Sequence, residues 1–143
     1  MKIIVSRVNK ANISVENKVI SSMEKGLAVF AGLEKKDSLP TLEQMAEKIV
    51  HLRIFEDEQG KMRYSVKDKN YSILCISNFT LCANTKKGRR PSFEEAMEPD
   101  KAKELFKEFV TILKSKGIDV QTGAFGKHMD IQVDMDGPVN VVL

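Results

Sequence analysis

The sequence predicts an α+β domain, β-rich at both ends, in a two-layer or barrel-like arrangement with two main helices packed on the sheets. Three observations point there. Apolar, β-branched runs recur at the start, middle and end of the chain. Two stretches between them carry apolar residues at helical spacing. The 143 residues contain no repeat, linker or low-complexity segment, so residues 1–143 form a single domain.

Each element has its own signal. "KIIVSRVNKANISV", residues 2–15, reads as two strands with a turn around Asn9 to Ala11. "GLAVFAGL", 26–33, is an unbroken apolar run between glycines, the pattern of a strand buried on both faces. "KKDSLPTLEQMAEKIVHLRIF" predicts a helix with Leu42, Met45, Ala46 and Ile49 on one face. Asp37, Ser38 or Thr41 could cap it, and Thr41 with Gln44 fits a capping box. "FEDEQGKMRYSVKD" is a polar loop turning at Gln59-Gly60, and "YSILCISNFTL", 71–81, is the strongest strand. A long irregular segment follows. A second helix, "KAKELFKEFVTILKSKG", has Leu105, Phe106, Phe109, Ile112 and Leu113 as its apolar stripe and Gly117 just past its end. "IDVQTGAFG", "MDIQVDM" and "VNVVL" read as three final strands, with Asp136-Gly137-Pro138 as an ordinary hairpin turn and a trans proline.

Composition narrows the class. Hydrophobic residues make up 42% and charged residues 30%, an ordinary globular balance that can bury its own core. The net charge of +3 permits a nucleic-acid partner without demanding one. Cys75 and Cys82, both in apolar surroundings, read as buried free thiols, and no cluster of ligands suggests a metal. The N-terminal apolar run is broken at once by charge, so neither a signal peptide nor a membrane span is expected, and the location is expected to be cytoplasmic.

Few residues look poised for chemistry. His51 in the first helix and His128 after Gly126 have no triad-like partners and read as solvated or packed side chains. "TGAFGK" lacks the ending of a phosphate loop. "TKKGRRP" gathers Lys86, Lys87, Arg89 and Arg90 around one glycine, either a solvated loop or a local phosphate-contacting patch. Ser77, Asn78 and Thr80 close the strongest strand. Alternation would send Ser77 and Phe79 to one face and Asn78 and Thr80 to the other, so one pocket can use all four only if the strand ends or bends there.

Taken together, "RVNKANISV", "LRIFEDEQGKM", "YSVKD", "SNFTL", "NTKKGRRPSFEEA" and "TGAFGKHMDIQV", in this order and spacing, make the chain resemble the D-aminoacyl-tRNA deacylases over nearly its whole length. That family carries two signatures, Ser-Gln-x-Thr and Asn-x-Gly-Pro-x-Thr. Here they read Ser77-Asn78-Phe79-Thr80 and Met135-Asp136-Gly137-Pro138-Val139-Asn140. Asn78, Met135 and Asn140 depart from the pattern, while Ser77, Thr80, Gly137 and Pro138 keep it.

The resemblance implies a deacylase-like fold and hydrolysis of the ester in D-aminoacyl-tRNA, with glycyl-tRNA also cleaved and no cofactor or metal. It implies a homodimer with active sites at the interface, where a cis Gly137-Pro138 pair from one subunit excludes L-amino acids from its partner's site. Ser77, Asn78, Phe79 and Thr80 would be the catalytic group. Backbone N–H groups near Phe79 and Thr80 would steady an oxyanion, and a water would attack with help from the ribose 2′-hydroxyl. Phe125 and Met129 would shape the substrate pocket, with plain core packing as the other reading. Lys86, Lys87, Arg89 and Arg90 would bind the tRNA. Three rivals remain open: a deacylase with a trans Gly-Pro pair and relaxed chirality, a non-catalytic RNA-binding module, and a small-molecule esterase with no RNA partner.

Overall fold

A computed structural model describes residues 1–143. The elements run β1 (Lys2–Val15), β2 (Lys18–Met23), β3 (Gly26–Gly32), α1 (Leu39–Val50), β4 (Phe55–Glu56), β5 (Met62–Tyr64) and β6 (Ser72–Ser77). A 3₁₀ turn (Phe79–Cys82), α2 (Pro99–Ser115), β7 (Val120–Thr122) and β8 (Asp130–Val142) complete the chain. Five strands lie in the order β2-β1-β3-β6-β7, and β8 pairs with β1. The β3–β6 and β6–β7 pairs are parallel, so α1 and α2 each lie on a crossover between them. All pairs made by β1 are antiparallel. The Ser21 hydroxyl on β2 donates to the Thr122 carbonyl on β7, joining the two ends of the strand order, so the sheet curls into a nearly closed barrel.

Two apolar clusters fill the two sides of this curved sheet. The larger joins Ile3, Val5, Leu27, Val29 and Ile73 to Leu42, Ile49, Phe106, Phe109 and Leu113 of the helices. Fully burying side chains of this size contributes about 1.5–3 kcal/mol each. The smaller cluster, Val8, Ala11, Ile13, Met23, Ala28, Leu74 and Ile76, lies on the other side. The α+β class and both helices are as expected.

The structure departs from the local readings in three elements, β1, the β4–β5 hairpin and β8. β1 does not turn at Asn9 to Ala11; it runs on to Val15, because β2 and β3 pair with successive parts of it while β8 pairs along it. The reversal comes at Glu16 and Asn17, both at positive φ, as a two-residue hairpin requires. The polar stretch after α1 holds a small hairpin, β4–β5. Of the three cap candidates of α1 the structure selects Ser38, with Pro40 in the first turn and no side-chain cap bond, so the Thr41–Gln44 capping box does not form. Finally, "MDIQVDM" and "VNVVL" are one strand, β8, which changes the meaning of the Gly137-Pro138 pair.

Candidate active site

β6 carries four buried residues, Ile73 to Ile76, between β3 and β7, and ends at Ser77. The Asn78 N–H still donates to Ala31 of β3 at 2.8 Å, and the chain then coils into the 3₁₀ turn. Gly32 makes room for that turn. A Cβ there would lie 2.9 Å from Leu81 Cβ and 3.0 Å from the Asn78 carbonyl. Because the strand stops, alternation stops too, and Ser77, Asn78, Phe79 and Thr80 all line one cavity of about 910 Å³.

Phe125 and Met129 line the same cavity and also pack against the two apolar clusters. Phe79, 58% exposed, meets Phe93 edge-on with ring centroids 5.1 Å apart. Phe125 tilts against Phe106 of α2 at 6.0 Å. Such a cavity, mostly apolar with Ser77, Asn78 and Thr80 at the end of β6 and Glu98, Lys127 and His128 also on its wall, suits a small ligand moiety. His128 also lines it, whereas His51 sits at the C-terminal end of α1 beside Glu47.

The polar end has a defined pattern. Asn78 Oδ1 accepts from the Thr80 backbone N–H at 3.2 Å and from the Thr80 hydroxyl at 2.5 Å. The Thr80 N–H, expected as an oxyanion donor, is therefore engaged, and the Phe79 N–H remains as the candidate of that pair. Lys86, Lys87, Arg89 and Arg90 are exposed on a loop whose base is closed by the Asn84–Ser92 pair, with backbone bonds of 2.8 and 3.0 Å. None of the four is ion-paired within the chain. One residue past that base, Phe93 lines the cavity, so the basic loop rises from the cavity mouth.

Gly137 and Pro138 lie elsewhere. Val8 pairs with Met135 and Ser6 with Asn140, so two steps along β1 answer five along β8. Residues 136–139 therefore bulge from an otherwise continuous ladder and form no hairpin. The Gly137–Pro138 peptide is cis, not the trans bond of an ordinary turn. Gly137 has φ +156°, and a Cβ there would overlap the Val139 backbone nitrogen. Both residues are exposed and neither lines the cavity of its own chain.

The bulge is clamped at both ends by neighbours on β1. Arg7, only 6% exposed, donates through Nε to the Asp136 carbonyl at 3.0 Å and through Nη1 to the Ile54 carbonyl at 2.7 Å. Its guanidinium also pairs with Glu56 at 3.2 Å and Asp136 at 3.3 Å. Ser6 donates to Asn140 Oδ1 at 2.6 Å. Sequence reasoning missed Arg7 and Ser6. The available signal was a charge at the position that alternation puts on the side of Ile3 and Val5, because a buried charge needs partners.

The comparisons with known proteins fit this geometry. The family model described as D-Tyr-tRNA(Tyr) deacylase matches residues 4–143. A D-aminoacyl-tRNA deacylase of Aquifex aeolicus is 49% identical over 143 residues, covering 100% of this chain and 97% of the relative. The chain belongs to the D-aminoacyl-tRNA deacylase family. As a member it is a hydrolase. Among solved structures, the c-Myc DNA Unwinding Element Binding Protein superposes with a TM-score of 0.94 at 38% identity, covering 100% of this chain and 97% of that one. A probable eukaryotic D-amino acid tRNA deacylase superposes with a TM-score of 0.85 at 17% identity, covering 99% and 97%, and supports the deacylase fold alone. No His, Cys, Asp or Glu group of three or more is placed to hold a metal ion, and no helix is long and apolar enough to cross a membrane.

Proposed function

We propose that this deacylase hydrolyses the ester of D-aminoacyl-tRNA, and of glycyl-tRNA mischarged on tRNA-Ala, releasing the free amino acid and tRNA. The cavity lined by Ser77, Asn78, Phe79, Thr80, Phe125 and Met129 takes the aminoacyl-adenosine end, and Lys86, Lys87, Arg89 and Arg90 meet the neighbouring phosphates. The reactive species is water. The Phe79 N–H steadies the oxyanion, Ser77 orients the substrate, and Asn78 does so through the Thr80 hydroxyl it holds.

The observation that carries the reading is a division within one chain. The Ser77–Thr80 end of the cavity is complete, while Gly137-Pro138 is displayed on an exposed bulge that does not line it. The two come together if a second copy inserts its bulge into this cavity. Exposed apolar residues on β8, Met135 at 39% and Val142 at 77%, give such a homodimer a surface to bury. The inserted backbone would collide with an L side chain and leave a D side chain free. Glycine, with nothing to exclude, would pass.

The test is deacylation of matched D- and L-tyrosyl-tRNA with glycyl-tRNA alongside, plus sedimentation to read the oligomeric state. Loss of the D and glycyl esters with the L ester spared, in a dimer, supports the reading. A Gly137→Ala, Pro138→Ala double variant should lose that selectivity. Equal cleavage of D and L esters by the unmodified protein would remove the chirality claim, and no cleavage of any ester would favour an RNA-binding role.

A further inference from the structure

We infer that Asn78 is a positioning residue that turns the Thr80 hydroxyl into a fixed hydrogen-bond acceptor for the substrate's ribose hydroxyl beside the ester. This rests on the reading of the substrate as an aminoacyl ester of tRNA.

The Thr80 backbone N–H can only donate, so the side-chain atom of Asn78 that faces it at 3.2 Å must be the amide oxygen. That assignment constrains the second bond. The Thr80 hydroxyl lies 2.5 Å from the same oxygen, which has no proton to give. The single hydroxyl proton of Thr80 is therefore committed to Asn78, and both lone pairs of Thr80 Oγ1 remain. No other side chain or backbone group of the protein bonds to that oxygen, and Thr80 is exposed and lines the cavity. Those lone pairs face whatever occupies the site.

Two consequences follow. Thr80 is a poor nucleophile here, because its proton points at an amide oxygen and not at a base. It is a well-oriented acceptor, and the ester's surroundings offer a matching donor in the vicinal ribose hydroxyl. The α-ammonium is the other donor nearby, and a substrate that lacks the ribose hydroxyl but keeps the ammonium distinguishes the two. A ribose hydroxyl that donates to Thr80 turns its own lone pairs away from Thr80 and toward the ester. Asparagine suits this role because its side chain reaches a backbone N–H two residues on, as in an Asx turn.

The experiment uses D-tyrosyl-tRNA whose terminal nucleoside is either adenosine or 2′-deoxyadenosine. Four variants join the unmodified protein: Thr80→Ser, Thr80→Val, Asn78→Ala and the Asn78→Ala, Thr80→Val pair, each checked for a native melting transition. Thr80→Ser should stay within about twofold of the unmodified kcat, because the hydroxyl is kept. Thr80→Val should lower kcat about tenfold with KM little changed, the loss expected for one hydrogen bond used in the reacting geometry. Asn78→Ala should lower kcat in the same sense, and adding it to Thr80→Val should cost nothing more, since Asn78 acts through Thr80. On the deoxy substrate Thr80→Val should have no effect. Additive losses in the double variant would overturn the positioning role. An undiminished Thr80→Val effect on the deoxy substrate would overturn the assignment of the ribose hydroxyl, independently of any variant at Asn78. Failure of the unmodified protein to cleave either charged tRNA would instead sink the proposed function.

Discussion

Removing the Arg7 side chain should destabilise the protein and loosen the Gly137-Pro138 bulge together. Arg7 is nearly buried and ties three segments: the bulge through the Asp136 carbonyl, the end of the α1–β4 connection through the Ile54 carbonyl, and β4 through Glu56. In Arg7→Ala the two carbonyls lose their donor. A buried group left unpaired costs about 1–3 kcal/mol. The Glu56 and Asp136 carboxylates, 47% and 39% exposed, can return to water and add little. The sum for the two carbonyls is about 2–6 kcal/mol, centred on about 4 and overlapping the range for breaking a buried pair. For a chain near this size it corresponds to a fall in Tm of roughly 10 °C.

Arg7→Lys separates stability from placement. A lysine keeps a charge near Glu56 but cannot span the Asp136 and Ile54 carbonyls with one planar fork. It should lose about half as much stability, yet relax the preference for D- over L-tyrosyl-tRNA about tenfold, equivalent to about 1.4 kcal/mol. Urea melts give the first quantity and paired deacylation rates the second. An Arg7→Ala protein within about 1 kcal/mol of the unmodified chain, near the scatter of ordinary surface changes, would refute the clamp. An Arg7→Lys protein with full selectivity would show that the bulge holds its position without the fork.

Three further outcomes are expected. Neutralising Lys86, Lys87, Arg89 and Arg90 one at a time should reduce the slope of log K for tRNA against log salt by about 0.7–0.9 for each lost phosphate contact, and an unchanged slope would make the loop a bystander. Burial pushes the Cys75 thiol up to about 12 and also raises that of Cys82, so iodoacetamide at pH 8 should label neither until the protein is denatured; fast labelling of native Cys75, read by mass spectrometry, would contradict its burial. The Met1 ammonium donates to Glu34 at 2.8 Å and holds that carboxyl below its usual value near 4.5, partly opposed by burial. With the folded value depressed, the stabilisation is complete above pH 4.5 and is lost as pH falls through the folded value. Glu34→Gln should therefore be less stable at neutral pH and nearly equal to the unmodified chain in strong acid, as urea melts at the two pH values would show.

How far the fold was legible follows from where its determinants lie. α2 was readable because its apolar stripe is a local pattern, and Phe106, Phe109 and Leu113 are indeed its buried face. β3 and β6 were readable because strands covered on both sides must be apolar throughout. The continuity of β1 was not, because its reason is remote. A polar pair such as Asn9-Lys10 looks like a turn when only neighbours in sequence are considered, but here β2, β3 and β8 hold the backbone straight through it. The same holds for the end of β8. Asp-Gly between apolar runs is a hairpin signal only if the runs pair with each other, and both of these pair with β1.

The candidate site divides along the same line. Its cavity end was legible in outline, since the quartet Ser77 to Thr80 could line one pocket only if β6 stopped at that point, and it stops at Ser77. What stayed hidden was the hydrogen bonding that gives each polar group its direction. The Asn78–Thr80 pair is local, yet a sequence does not reveal which way a hydroxyl proton points. The Arg7–Asp136 and Ser6–Asn140 pairs join residues more than 120 positions apart, so no local window holds both partners. They also identify what ties the bulge where the second signature is altered. With Asn140 in place of Thr, the far end of the bulge is still tied, because the amide oxygen accepts from Ser6. Met135, the other changed position, is spared this duty: the near end is held through Asp136, whose carbonyl and carboxylate both meet Arg7. The bulge is thus anchored by groups flanking the Gly-Pro pair and by two adjacent residues of β1, which leaves Gly137 and Pro138 free to face outward.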